Sequence, residues 1–428
     1  MKAWFLTFLF FSLLGCAVRR GNDGTGIFKL EDNNLWLFGN ASAVYYFDKQ
    51  QNLDFPSIQK LNEKDWISTA HNTSFGILPE VIWFQLDIEN NTKVEDWIIN
   101  IENAELRRVD FYYPTLNLND YKIESSGISV PISEMSIPNR LPIFPFHIKT
   151  NSKQRIYFRF DMSTRSLLPL RFFTQSSYFK FETFRGFVAG AYYGAMLLLL
   201  LYNLVLFFSM KDKLFLYYCT YLFFFTCFVF TINRQWLPLI DLSSIPWIQR
   251  MAPALSMLTT IAALVFAKAF LFPDKEKGKV KSIIIFALVL QIITFPFTLF
   301  SSVGVSVFLA NISPAIGIFA VSIAAVMRFR EGFSGARYFI IAWSFLLLSV
   351  LLFISMNLGL IDFSNFVSYG PMYGSVLEGI FLSLGIGDRI NRLKKEREDA
   401  RKALLESQLK ALDEEKKINE SISRFVPN

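Results

Sequence analysis

Seven apolar stretches between Phe184 and Asp388 constrain this chain more than any other feature. They run over 184–208, 214–232, 247–270, 282–300, 304–326, 336–356 and 367–388, with short polar loops between them. A bilayer core of ~30 Å is crossed by roughly 20 helical residues. No soluble fold buries so much continuous apolar helix, so the sequence predicts a seven-helix membrane bundle with a further segment at each end. The 52% hydrophobic content follows from these spans.

The net charge of +7 does not point to nucleic acid, because the basic residues sit in the loops. Lys211 and Lys213, then Lys275, Lys277, Lys279 and Lys281, then Arg328, Arg330 and Arg337 fall in alternate loops. Arg389, Arg392, Lys394 and Lys395 open the tail, whereas the opposite loops hold little beyond Arg234 and Arg250. This is the positive-inside bias. It places residues 17–183 outside and the tail in the cytoplasm of a multi-pass membrane protein.

Residues 1–16 read as a signal peptide: Lys2, an apolar run from Trp4 to Leu14, then Gly15-Cys16. Leu13-Leu14-Gly15-Cys16 resembles a lipobox, which makes Cys16 the expected lipidation site. A lipid there would anchor the outer domain at both of its ends. Cys219 and Cys227 fall within a span and read as small apolar residues.

Within residues 22–183, alternating and aromatic-rich segments recur in the manner of strands. Val81–Ile88, Trp97–Ile101, Val109–Tyr113, Pro142–Ile148 and Ile156–Asp161 lie between turn signals such as Asn90-Asn91 and Ser126-Gly127. They predict an extracytoplasmic all-β sandwich of jelly-roll type. Trp66, Trp83 and Trp97 are the candidates for stacking on a sugar ring, with core packing as the competing reading. With His71 and His147 the only histidines, a transition-metal site has little support, and no cofactor motif or catalytic constellation is present. The chain as it stands is therefore expected not to be an enzyme.

Several motifs resemble the bacterial seven-transmembrane receptors with diverse intracellular signalling modules, the 7TMR-DISM family. In the outer domain these are Phe75-Gly76, Ile82-Trp83-Phe84-Gln85-Leu86, Val109-Asp110-Phe111-Tyr112-Tyr113-Pro114, Ile156-Tyr157-Phe158-Arg159 and Leu168-Pro169-Leu170. In the membrane they are Gly190-Ala191-Tyr192-Tyr193-Gly194, Leu201-Tyr202-Asn203-Leu204, Tyr369-Gly370-Pro371, Glu378, Ser383-Leu384 and Asp388-Arg389-Ile390-Asn391. The resemblance covers roughly residues 50–395. It implies a second-type extracellular module suspected of carbohydrate binding, and signal reception with a small-molecule or carbohydrate ligand.

Within the spans, Glu378 and Asn203 are the polar residues that demand a reason, since a charge at mid-bilayer is expensive. Glu378 is read either as part of a switch or as a hydrogen-bonded packing residue, and Asn203 as an interhelical tie. Asp388 and Arg389 mark where the seventh helix would hand motion to the tail. Residues 389–428 lack Gly and carry no Pro before Pro427, and they are rich in helix formers. Ile390, Leu393, Ala400, Leu404, Ala411 and Ile418 share one heptad seam, interrupted by Arg397, Ser407 and Glu414. A weak homodimeric coiled coil is expected. Ser421–Asn428 resembles the segment preceding class III adenylate/guanylate cyclase domains, so an output domain absent from this chain is the expected continuation. A transporter, a membrane-embedded enzyme and a pseudoreceptor acting through a partner are the alternatives.

Overall fold

A computed structural model describes residues 27–30, 36–37, 43–68, 81–115, 120–161, 168–237, 240–241, 247–272, 279–333, 335–357, 361 and 364–425. Cys16, His71, Phe75-Gly76 and the last three residues lie outside them.

The first half is built of strands. β1 (Ile27–Leu30), β3 (Ala43–Asp48), β4 (Ile67–Ser68), β5 (Val81–Asn90), β7 (Arg108–Pro114), β8 (Tyr121–Ser126) and β10 (Ser152–Asp161) form one sheet in the order β4-β3-β5-β10-β7-β8, with β1 added parallel to β5. β2 (Trp36–Leu37), β11 (Leu170–Thr174), β6 (Asp96–Ile101) and β9 (Ile143–His147) form a second, ordered β2-β11-β6-β9. All five segments predicted from alternation are strands. The long β5–β10 pairing, from Ser152 opposite Asn90 to Asp161 opposite Val81, sets the register. That register sends Ile82, Phe84 and Leu86 inward with Ile156, Phe158 and Phe160, against Trp97, Ile99, Phe144 and Phe172 of the other sheet. Phe111 stacks on Phe158 with ring centroids 4.7 Å apart. A two-sheet sandwich with an aromatic core results.

The outer face of the larger sheet carries a second aromatic cluster. A short helix, α1 (Phe55–Gln59), capped by the Asp54 side chain on the Ser57 N–H, covers Trp83, Tyr112 and Tyr157 there. The outer face of the smaller sheet is covered differently. Ile98, Ile143 and Phe173 meet Tyr178 and Phe181, which belong to the first long helix.

That helix, α2 (Gln175–Met210), starts immediately after β11, with Thr174 as its N-cap. The sequence placed the first span at 184. The helix instead begins at Gln175, because its first two turns carry Tyr178 and Phe181 onto the sandwich rather than into lipid. It is followed by α3 (Lys213–Ile232), α4 (Ile248–Leu271), α5 (Lys279–Phe300), α6 (Val303–Arg330) and α7 (Ala336–Asn357). By length and composition, these six helices can cross a bilayer. Their outer surfaces expose Phe187, Leu198, Val205, Phe286, Phe319 and Leu351, an apolar belt that water would not tolerate.

A short turn, α8 (Asn365–Ser368), leads into α9 (Gly370–Phe425). The first part of α9 packs against α7, α2 and α3, so it passes through the bundle with the other six. Gly374, Gly379, Gly385, Ser375 and Glu378 dilute its hydropathy. They also explain its close packing, because a Cβ on Gly374 would meet Ser349 Oγ and the Phe345 carbonyl of α7. Beyond Ile390, the helix continues as an extended tail. Leu404, Leu405, Leu409 and Leu412 are exposed on it.

Candidate functional site

Two polar clusters stand out, one at the junction of sandwich and bundle and one inside the bundle. At the junction, the loop after β6 presents Glu102, which is nearly enclosed by three arginines. Arg185 of α2 donates Nη2 to Glu102, Nη1 to Glu182 (3.1 Å) and Nε to the Tyr369 hydroxyl (2.7 Å). Arg171 of β11 is fully buried beneath α2, its Nε 3.7 Å from Glu102. Arg140 donates Nε to Glu182 at 3.3 Å. Asn100 adds a 2.6 Å hydrogen bond to Glu102. Desolvation works against the Glu102 carboxylate, but Arg185, Arg171 and Arg140 outweigh it and hold its pKa below the ordinary value. Arg171 is shifted the other way, since burial depresses its pKa and Glu102 only partly restores it.

A cavity of about 110 Å³ opens beside this network. Its upper wall is sandwich: Glu102, Asn103, Glu105 and Arg140. Its floor comes from the ends of three helices, with Val229 and Ile232 from α3, Phe353 and Met356 from α7, and Tyr369 and Met372 at the start of α9. One concave space thus touches the outer domain and the helix that continues into the tail. A second contact lies nearby. Arg234, after α3, donates Nη2 to the Gly127 carbonyl at 3.1 Å, and burial depresses its pKa to about 10. Gly127 sits at φ +140°, where a Cβ would lie 2.5 Å from the Arg107 carbonyl oxygen.

The intramembrane cluster centres on Glu378, which is fully buried. The Tyr221 hydroxyl lies 2.8 and 2.7 Å from its two carboxyl oxygens. Around it, Tyr218 donates to the Gly379 carbonyl (2.8 Å), and the Tyr192 hydroxyl is 3.3 Å from Ser375. Asn203 donates Nδ2 to the Leu199 carbonyl (2.8 Å) and to Ser383 of α9 (3.1 Å). Helices α2, α3 and α9 are therefore tied by side-chain polar groups facing away from lipid. Asp388 pairs with Arg392 one turn on (3.1 Å), and Arg389 reaches the Ala269 carbonyl of α4 (3.4 Å), where α9 leaves the bundle.

The tryptophans sit elsewhere. Trp97 is buried between the sheets with Nε1 donating to the Val94 carbonyl. Trp83 is fully buried under α1, near Phe55 and Tyr112. Neither ring offers an exposed face for stacking. Trp66 is half-buried at the edge of the same cluster, 6.4 Å from Tyr46 and from Tyr157. Sequence reasoning missed Glu102, Arg140, Arg171 and Arg185, which lie far apart in the chain, and it met Tyr369 only within the Tyr369-Gly370-Pro371 motif, not as a site residue. It also missed Tyr221 as the partner of Glu378, and Gln291, a fully buried amide in α5. For Gln291 the signal was present: a glutamine inside an apolar run.

A β-sandwich seated on the outer ends of a helical bundle, with one helix running on as a tail, is the architecture of a multi-pass transmembrane receptor. The chain belongs to the 7TMR-DISM family. Residues 185–389 match the family's 7TM diverse intracellular signalling model, and residues 40–174 match its 7TMR-DISM extracellular 2 model. No curated protein matches the sequence.

Proposed function

We propose that the sandwich senses a small molecule or carbohydrate outside the bacterial inner membrane, and that the junction and the bundle relay the event along α9 to a cytoplasmic output. The observation that carries this reading is mechanical. Arg185 joins the sandwich, through Glu102, to Tyr369 at the start of α9. The same α9 is held inside the bundle by Glu378 and Ser383, and emerges as an exposed helix. A displacement of the sandwich therefore acts on one end of a stiff rod whose other end is free to move. Glu378 and Asn203 serve as the intramembrane ties of the switch, and Asp388 and Arg389 as its exit hinge. The exposed leucines of the tail seat a second copy of the chain, and a nucleotide cyclase is the output we favour. Lipidation of Cys16 would fix the sandwich to the membrane that its other end enters.

The test uses the full chain in lipid nanodiscs, spin-labelled at Arg337, the exposed start of α7, and at Leu409 on the tail. Arg185→Gln and Glu378→Gln should each shift the distance distribution between the labels, with insertion and abundance unchanged. Identical distributions in both variants would overturn the relay.

A further inference from the structure

We infer that the cavity between sandwich and bundle is a binding site for a small carboxylate bearing a short apolar chain. This deepens the receptor reading and depends on it for its meaning, since it locates a ligand at the joint rather than on the sandwich's outer face. Four observations converge. The space of about 110 Å³ holds a ligand of only a few heavy atoms, well below the ~300–1,000 Å³ of drug-sized sites.

Second, the wall that faces the space is charged and the floor is not. Val229, Ile232, Phe353, Met356 and Met372 make the floor mostly apolar, alongside the uncharged Asn233 and Ser368.

Third, the ion-pair network has an excess guanidinium. Arg140, Arg171 and Arg185 share Glu102 and Glu182. Arg185 uses all three of its nitrogens on named acceptors. Arg140 does not: its Nη2 is buried and has no hydrogen-bond partner. A guanidinium presents a planar fork that a carboxylate matches with two parallel bonds.

Fourth, the Tyr369 hydroxyl accepts from Arg185, and among the described residues no acceptor takes its own proton. It is thus a second donor lining the same cavity. Glu105, half-buried, is the further acid on the wall.

A carboxylate bound here would draw Arg140 away from Glu182 and engage Tyr369. One group would then touch the sandwich, the other the first turn of α9. The apolar chain would lie on the helix ends, where a change in its length is felt by α3, α7 and α9 together.

The test measures binding alone, by saturation-transfer NMR on the full chain in nanodiscs with acetate, butyrate and sulfate as probes. Butyrate should bind saturably and outcompete acetate, while sulfate should not displace it. Arg140→Gln should weaken butyrate by about tenfold or more, the size of a lost charge-assisted hydrogen bond. Met372→Trp, which fills the floor without changing any charge, should abolish binding; because Met372 is buried in the bundle the variant also loses some stability, and Arg140→Gln, on the wall, is read beside it. Glu105→Gln should leave binding unchanged or tighten it. The inference fails if butyrate gives no saturable signal, if both Arg140→Gln and Met372→Trp bind like the parent, or if sulfate competes as well as butyrate. Loss of binding in Glu105→Gln would also overturn it, by making the recognised end a cation. Absent binding with an intact label shift in the relay experiment refutes this site alone; intact binding with no shift refutes the relay.

Discussion

Replacing Glu102 with glutamine should undock the sandwich from the bundle. The Glu102 side chain is 7% exposed, and the side chains of Arg171 and Arg185 are 0% and 5% exposed. Removing the carboxylate charge leaves two enclosed guanidiniums facing each other. Breaking one partner out of a buried ion pair costs about 3–5 kcal/mol, chiefly through the charge left behind. At about 1.4 kcal/mol per factor of ten, the undocked population should rise by roughly two to three and a half powers of ten. Hydrogen exchange on the reconstituted chain measures this directly, at the amides of β9, β11 and the first two turns of α2, because local opening sets their protection.

The pH dependence supplies the sign. Glu102 has a lowered pKa when docked, so its contribution is complete above the ordinary carboxylate value of 4.5 and is lost as pH falls through the lowered value. The parent chain should therefore lose protection at the junction on acidification, and Glu102→Gln should lack that component. A double variant, Glu102→Gln with Arg171→Met, should recover much of the loss, since apolar replacement of a buried pair is often neutral. A protection change below about 1 kcal/mol in Glu102→Gln would refute the reasoning.

Two further outcomes are expected. Gly374→Leu should destabilise the bundle by about 1–3 kcal/mol or more through overpacking, because α9 lies against Ser349 and Phe345 of α7 there. A melting curve in detergent that matches the parent's would show that α7 and α9 are not in close contact. Trp97→Ala should cost about 3–5 kcal/mol of sandwich stability, as a buried aromatic at a sheet–sheet interface does. Chemical denaturation followed by near-UV circular dichroism reads the loss; a sandwich that keeps its midpoint would place Trp97 outside the core.

The β-to-helix order of the chain was legible because alternation of period two and long apolar runs are local properties. Val81–Ile88 and Ile156–Asp161 are apolar, aromatic-rich runs bounded by turn signals whether or not they are neighbours, and both became strands. Glu378 was legible for a similar reason: one carboxylate in an apolar run must have a partner. Its partner was not. Tyr221 sits 157 positions earlier, in a stretch crowded with aromatics, any of which could have served.

What the sequence by itself determined is the class of object: a β-domain, a bundle of apolar helices, a polar helical tail, and the family whose motifs those segments carry. Hydrophobic transfer free energies act residue by residue, so patterns of burial can be read along the chain. Only the tertiary structure decided where the two halves meet. It carried α2 up onto the smaller sheet and buried Trp83 and Trp97. It gathered Glu102, Arg140, Arg185 and Tyr369 around one cavity, with Arg171 buried against Glu102. Electrostatic pairing depends on distances between groups that the chain brings together from far apart. A scattered set of arginines becomes a site only when the fold removes water from between them.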